Sequence, residues 1–268
     1  YKVVGPLARR VADLKAVMPY LAQPDGVDAS VDGPPWGAAP EYDPRKLNVY
    51  WFESNGIMPP TREVREAVRK SATALADMGF RVRRWRPKGI EKSLIMWVHA
   101  LETAGGPKFI DTLGDFEGVD LWGQWRKALT GRSDHILPCL ALATVERVIL
   151  RIPSFGKEMT DHRHALRAEI EGKLGLDGVI LCPAFHRPAP RHGLEGFIHT
   201  LGFSYTGGLN PMELPATAVP TGFSRKGLPL GVQVAGARNN DHLTLYVAER
   251  IEEAFGGWKP GAIQGANA

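Results

Sequence analysis

The sequence predicts an α/β protein built on a mixed, largely buried β-sheet with helices on both faces. Three observations carry that expectation. A strand–helix–strand pattern runs through residues 47–85, a continuous apolar run lies at Gly178–Cys182, and two more strand patterns precede an amphipathic helix near the C-terminus. The chain has 268 residues, 33 Lys and Arg against 29 Asp and Glu, and 44% hydrophobic residues. That is an ordinary globular composition, and the length suffices to bury roughly three quarters of the unfolded surface. A disulfide miniprotein, a collagen-like chain and a disordered tail are excluded.

The elements follow in order. Leu7, Val11, Leu14, Val17 and Met18 recur at three- and four-residue spacing, with Arg9, Arg10 and Lys15 outside the stripe, which predicts a helix within the first 22 residues. Residues 23–46 are rich in Pro, Gly and Asp and read as a surface loop, so 1–46 is expected to connect and 47–268 to form one α/β domain. Leu47 to Phe52 reads as a strand. Pro59-Pro60-Thr61 sets up a helix with Thr61 as the expected N-cap and Val64, Val68, Leu75 and Met78 as its apolar stripe; Gly79 ends it. Phe80, Val82 and Trp85 alternate as the next strand, which calls for a right-handed crossover and a parallel pair.

Residues 90–157 read as mostly helical, with aromatics at Trp97, Phe109, Phe116, Trp122 and Trp125. Another helix is expected from about Thr160 to Leu174. It leads into Gly178–Cys182, an unbroken apolar run suited to a strand covered on both faces. A loop with Pro and His occupies 183–193. Strands are then predicted at Ala216–Val219 and Leu230–Val234, and a final helix carries Leu243, Val247, Ile251 and Phe255.

The net charge of +4 is small for this length. Its one basic knot, Arg81, Arg83, Arg84, Arg86 and Lys88, alternates with Val82 and Trp85 as the outer face of a strand would. A solvated strand edge explains it better than a phosphate-binding patch, so no nucleic-acid partner is expected. Cys139 and Cys182 are far apart, with no zinc or CxxC spacing, and read as buried free thiols of a reducing, cytoplasmic setting. The N-terminus lacks a signal-peptide layout and an initiator Met, which is read as a segment missing upstream.

Sites that carry chemistry are sparse. His162 and His164 are two apart, so on a helix they diverge; a solvated helix start is the expectation. His186 and His192 flank Arg187–Arg191 without a ligand partner at metal spacing, and point to structure or substrate contact. No dinucleotide or phosphate loop is present, and no metal or cofactor is expected. No serine sits in a GxSxG elbow or a Ser-x-x-Lys box, so the chain by itself shows no nucleophilic apparatus.

The most specific segment is Leu209–Gly236, which contains Asn210, Pro211, Pro215, Pro220, Gly222 and then Gly227-Leu228-Pro229-Leu230-Gly231-Val232-Gln233. It resembles the C-terminal block of the amidase signature family. Gly5-Pro6-Leu7-Ala8-Arg9-Arg10-Val11-Ala12-Asp13 is similar to the family's helix after its signature region, and Leu47–Phe52 and Asp177–Pro183 resemble two of its strands. Met58-Pro59-Pro60, Gly105-Gly106-Pro107-Lys108-Phe109 and Phe203-Ser204-Tyr205-Thr206 lean toward its fatty acid amide hydrolase branch.

The resemblance implies the C-terminal portion of the amidase signature fold and amide hydrolysis through a Ser–cis-Ser–Lys triad. That triad would lie upstream of Gly5, so no catalytic role falls on this chain. An N-terminal catalytic segment, on the same or a separate chain, becomes an expected partner, beside a small-molecule amide substrate. The resemblance also nominates Thr200, Phe203, Gly207, Val98 and Leu101 as substrate-binding wall, with core packing as the competing explanation for each. Glu102, in the same stretch, does not suit an acyl wall. Ile136–Phe155 matches the family's amphipathic lip, leaving peripheral membrane contact, an oligomer contact such as a homodimer, and packing on the sheet all open. A catalytically incomplete scaffold, or a partner subunit of an amidotransferase, is the alternative function.

Overall fold

The structure is a computed structural model that describes residues 5–24, 26, 36–103, 105, 108–114, 117–149, 153–191 and 198–261. Side chains at 102, 145, 148, 149, 153–155 and 200 also lie outside the description. Five strands form one sheet: β1 (Asn48–Trp51), β2 (Arg81–Arg84), β3 (Gly178–Pro183), β4 (Ala216–Phe223) and β5 (Pro229–Gly236), in the order β2-β1-β3-β5-β4. β1 runs parallel to both β2 and β3, while β5 is antiparallel to β3 and β4. The sheet is therefore mixed, as expected. Its parallel half comes from crossovers and its antiparallel half from the β4–β5 hairpin. Pro220 sits on the edge strand β4 beside a register shift, where a missing N–H costs the ladder least.

Helices cover both faces. On one side Val49, Val179, Leu181, Val232 and Val234 pack against α2 (Arg62–Asp77), α9 (Asp241–Phe255) and Val11 of α1 (Val11–Leu21). On the other, Tyr50, Phe52, Ile180, Cys182 and Ala235 meet Leu166, Ile170 and Leu174 of α7 (Pro153–Leu174) and Met96 of α3 (Ser93–Thr103). Each large side chain so buried contributes about 1.5–3 kcal/mol. A smaller core joins Leu121 of α5 (Leu121–Ala128) to Leu140 and Ala143 of α6 (Leu137–Ile149), with Phe109, Ile110 and Leu113 of α4 (Phe109–Leu113) against it.

Several expectations are corrected. α1 starts at Val11, leaving Leu7 outside it and fully exposed. Thr61 holds the N-cap position of α2 as expected, but its hydroxyl makes no cap bond and is buried without a partner among the described residues. α7 begins at Pro153, not near Thr160, so His162 is mid-helix and its Nε2 lies 3.0 Å from the Gly89 carbonyl oxygen. Cys182 is buried, whereas Cys139 is only half-buried. Phe116, Gly106, Pro107 and His192 lie outside the described residues. Arg81, Arg83 and Arg84 are exposed on β2, an edge strand, so the basic residues lie on a solvated edge but on both of its faces rather than in strict alternation.

The Ile136–Phe155 stretch divides between α6 and the start of α7. Leu140 and Ala143 are fully buried within the smaller core. Glu146 accepts hydrogen bonds from the backbone N–H groups of Phe109 and Ile110, at 2.8 and 2.9 Å, and so supplies the cap that α4 otherwise lacks. The other described side chains of α6 are half-buried or exposed. Among the described residues no helix is long and apolar enough to cross a membrane.

Candidate substrate wall at the carboxyl end of the sheet

β1 and β3 are parallel neighbours, so both release their chains at the same edge. Ligand sites of α/β sheets form there, because the loops beyond the strands are free to vary on a rigid base. Three segments meet at this edge: Phe52–Pro60 after β1, Ala184–Arg187 after β3, and a turn from Ile198 to Leu209 that contains α8 (Ser204–Gly207).

Buried polar side chains hold that turn. Gln233 of β5 donates from Nε2 to the carbonyls of Tyr205 (2.7 Å) and Pro183 (2.9 Å), tying the turn to the end of β3. Asn55 donates from Nδ2 to the Ser204 hydroxyl at 2.8 Å, while its Oδ1 accepts from Ile57 N–H at 3.1 Å and tightens the loop after β1. The Tyr205 hydroxyl donates to the Met58 carbonyl at 2.7 Å, and burial pushes its pKa up, so it stays a donor. Ser93 opens α3 by donating to the Ser204 carbonyl at 2.9 Å. Gly207 lies close to the Trp97 ring, and a Cβ at Gly208 would collide with Ser93, so the glycine at 208 permits α3 to sit this close.

The proposed wall residues are thereby placed. Gly207 is buried against Trp97, and Val98 and Leu101 are half-buried one and four residues further along the same helix. Phe203 is 56% exposed and meets Phe185 edge-on at 6.3 Å between ring centroids. Ile198 and Leu201 flank it, 56% and 47% exposed. Thr200 opens the 3₁₀ turn Thr200–Phe203, and its side chain is outside the described residues, as is that of Glu102. The result is an apolar turn, open to solvent, on a buried polar mount.

Five of the described serine hydroxyls have structural partners. Ser71 donates to the Ala67 carbonyl, Ser93 to that of Ser204, and Ser133 to that of His135; Ser54 and Ser224 accept from backbone N–H groups. Among the described residues no group of three His, Cys, Asp or Glu is set to hold a metal. Glu53, just past β1, takes a two-pronged contact from Arg69 (2.7 and 3.0 Å) that holds its carboxyl below the usual range. Sequence reasoning missed Asn55, Gln233, Tyr205 and Glu53. Gln233 was detectable in principle, as the lone polar residue between Val232 and Val234 in a strand expected to be covered on both faces.

The protein is thus a twice-covered mixed sheet in which Gln233, from the C-terminal block, ties the 198–209 turn to the end of β3. The chain belongs to the amidase family: the family model described as Amidase matches residues 1–245. It is 32% identical to fatty-acid amide hydrolase 2-B of Danio rerio, over 98% of this chain and 50% of that protein. It is 30% identical to human fatty-acid amide hydrolase 2, over 95% of this chain and 48% of the relative. A solved subunit of the glutamyl-tRNA(Gln) amidotransferase from Thermotoga maritima superposes with a TM-score of 0.70 at 20% identity, covering 93% of this chain and 52% of that one. The chain spans about half the length of the curated relatives it matches.

Proposed function

We propose that this chain is the C-terminal part of a serine amidase that hydrolyses linear amides, fatty acyl amides among them, to a carboxylate and an amine or ammonia. The nucleophile and its Lys base belong to a segment upstream, on the same or a separate chain. This chain supplies scaffold and one wall of the substrate channel, with Phe203, Gly207, Thr200, Val98 and Leu101 on or near that wall. The observation that carries the reading is the apolar turn at Ile198, Leu201 and Phe203. Its aromatic and aliphatic side chains are held in solvent by buried hydrogen bonds, an arrangement that costs free energy unless an apolar partner covers it. A long acyl chain is such a partner. Relatives at 30 and 32% identity are named as fatty-acid amide hydrolases, which supports the same substrate class.

The test is intact mass under denaturing conditions after exposure to a fluorophosphonate probe, run on this chain alone and on the protein purified from its source. Labelling is expected only where an additional segment accompanies this one. Labelling of the isolated chain would overturn the assignment of the nucleophile to the upstream segment. A second reading, as one component of an amidotransferase, draws on the fold shared with the Thermotoga protein. Ammonia release from glutamine in the presence of the other components would favour it.

A further inference from the structure

Three basic side chains lie in a row beyond β3. A guanidinium N–H of Arg187 meets Nε2 of His199, and Nδ1 of His199 lies 3.0 Å from Nε2 of His186. A guanidinium can only donate. Nε2 of His199 therefore accepts, and the ring's one proton is on Nδ1. That N–H donates to His186 Nε2, which drives the proton of neutral His186 to its own Nδ1. Nδ1 of His186 is buried and has no hydrogen-bond partner among the described residues. The direction of donation is thus dictated from the half-buried Arg187 inward to a ring only 3% exposed.

The inner end of this row abuts the turn. A Cβ added to Gly202 would collide with His186 Nδ1 and with the ring of Phe185. Phe185 packs on His186 at 4.6 Å between centroids and on Phe203 at 6.3 Å. The backbone carbonyl of His186 also accepts from Thr61 N–H at 2.8 Å, which anchors it to the first residues of α2. His186 is thus held from the N-terminal end of α2, His199 is part of the turn, and Phe185 contacts both His186 and Phe203. Burial, with His199 and Arg187 beside it, pushes the His186 pKa down to about 4, so the ring is neutral near neutral pH.

We infer that His186 and His199 are positioning residues: Arg187 sets both rings to the Nδ1–H tautomer, and the resulting one-way donor row fixes the 198–203 turn so that Phe203 presents a defined apolar wall to substrate. The word substrate rests on the amidase reading above; the donor row does not. Gly202 is required by the same contact, because any side chain there would lift the turn off His186.

Imidazole nitrogen spectra of the chain labelled with ¹⁵N-histidine test the row without any turnover. Near pH 7 both His186 and His199 are expected as Nδ1–H tautomers, and Arg187→Met should release His199 from that form. A protonated His186, or Nε2–H on His199 in the unsubstituted protein, would overturn the inference. The role on substrate is read with the catalytic segment present. For Arg187→Met and Gly202→Ala, KM for a long-acyl amide should rise several-fold with a smaller change in kcat, and KM for a short amide should rise less. Equal loss on both substrates, or none on the long one, would reduce the row to a packing contact. Absence of any amide turnover in the unsubstituted protein would count against the proposed function instead, and the spectra would still decide the donor row.

Discussion

Gln233 shows how one side chain can carry a loop. Its amide nitrogen serves the carbonyls of both Tyr205 and Pro183 inside the sheet layer, where water cannot replace it. Gln233→Leu keeps the volume and strands those acceptors, so it should cost about 2–4 kcal/mol in urea unfolding, one to two buried unsatisfied groups. Titration of His186 and Glu53 makes a second prediction. His186 has an ordinary pKa of 6.5 and a folded value of about 4, so between those pH values the unfolded chain binds a proton that the folded chain does not. Stability therefore falls as pH is lowered through that window, by at most about 1.4 kcal/mol per pH unit for this group. Glu53, depressed below 4.5 by the Arg69 fork, adds a loss of the same sign at still lower pH. Urea unfolding between pH 7 and 4.5 should show a shallower decline for His186→Gln than for the unsubstituted chain. Equal slopes would show that the burial of His186 is not what sets its charge.

At the scale of elements, α4 and α6 illustrate what periodicity conceals. Glu146 looks like a charge interrupting an amphipathic stripe, yet its carboxylate bonds the first two N–H groups of α4. A carboxylate at a helix N-terminus satisfies orphan donors and meets the positive end of the dipole. Glu146→Ala should destabilise by about 1–2 kcal/mol and speed amide exchange at Phe109 and Ile110 first; unchanged exchange there would remove the cap from the account. Of two cues for helix starts, one placed the start correctly without its capping bond and the other placed it late. Thr61 is a good capping residue type, but its backbone N–H is drawn to the His186 carbonyl and its hydroxyl is buried without a partner among the described residues. α7 starts at Pro153, a residue that suits a first helical position, rather than near Thr160.

At the scale of the molecule, two apolar layers lie back to back across one sheet, and α1 is tied into the first of them. Val11 is buried there, and Lys15 pairs with Glu249 of α9 at 2.6 Å. The ion pair is partly exposed and is worth little alone, so the attachment rests on apolar contact. Val11→Ala should lower stability on the order of 2 kcal/mol in one cooperative transition, with α1 and α9 amides exchanging together. Separate exchange of α1 would make it the loose connector that the 1–46 composition suggested.

The fold class, the order of the elements, the twice-covered β3 and the family block at 209–236 were determined by the sequence alone, because periodicity, Pro and Gly placement and ordered short motifs are local properties. Tertiary structure decided which polar residues are buried and what they hold: Gln233 with Tyr205, Asn55 with Ser204, Glu53 with Arg69, and Arg187 with the two histidines. These pairs join β5 to the turn, and the ends of β1 and β3 to their neighbours, across up to 149 residues. A buried hydrogen bond is chosen by geometry in three dimensions, with no trace in the spacing of either partner, so the mount beneath Phe203 was visible only once the chain was folded.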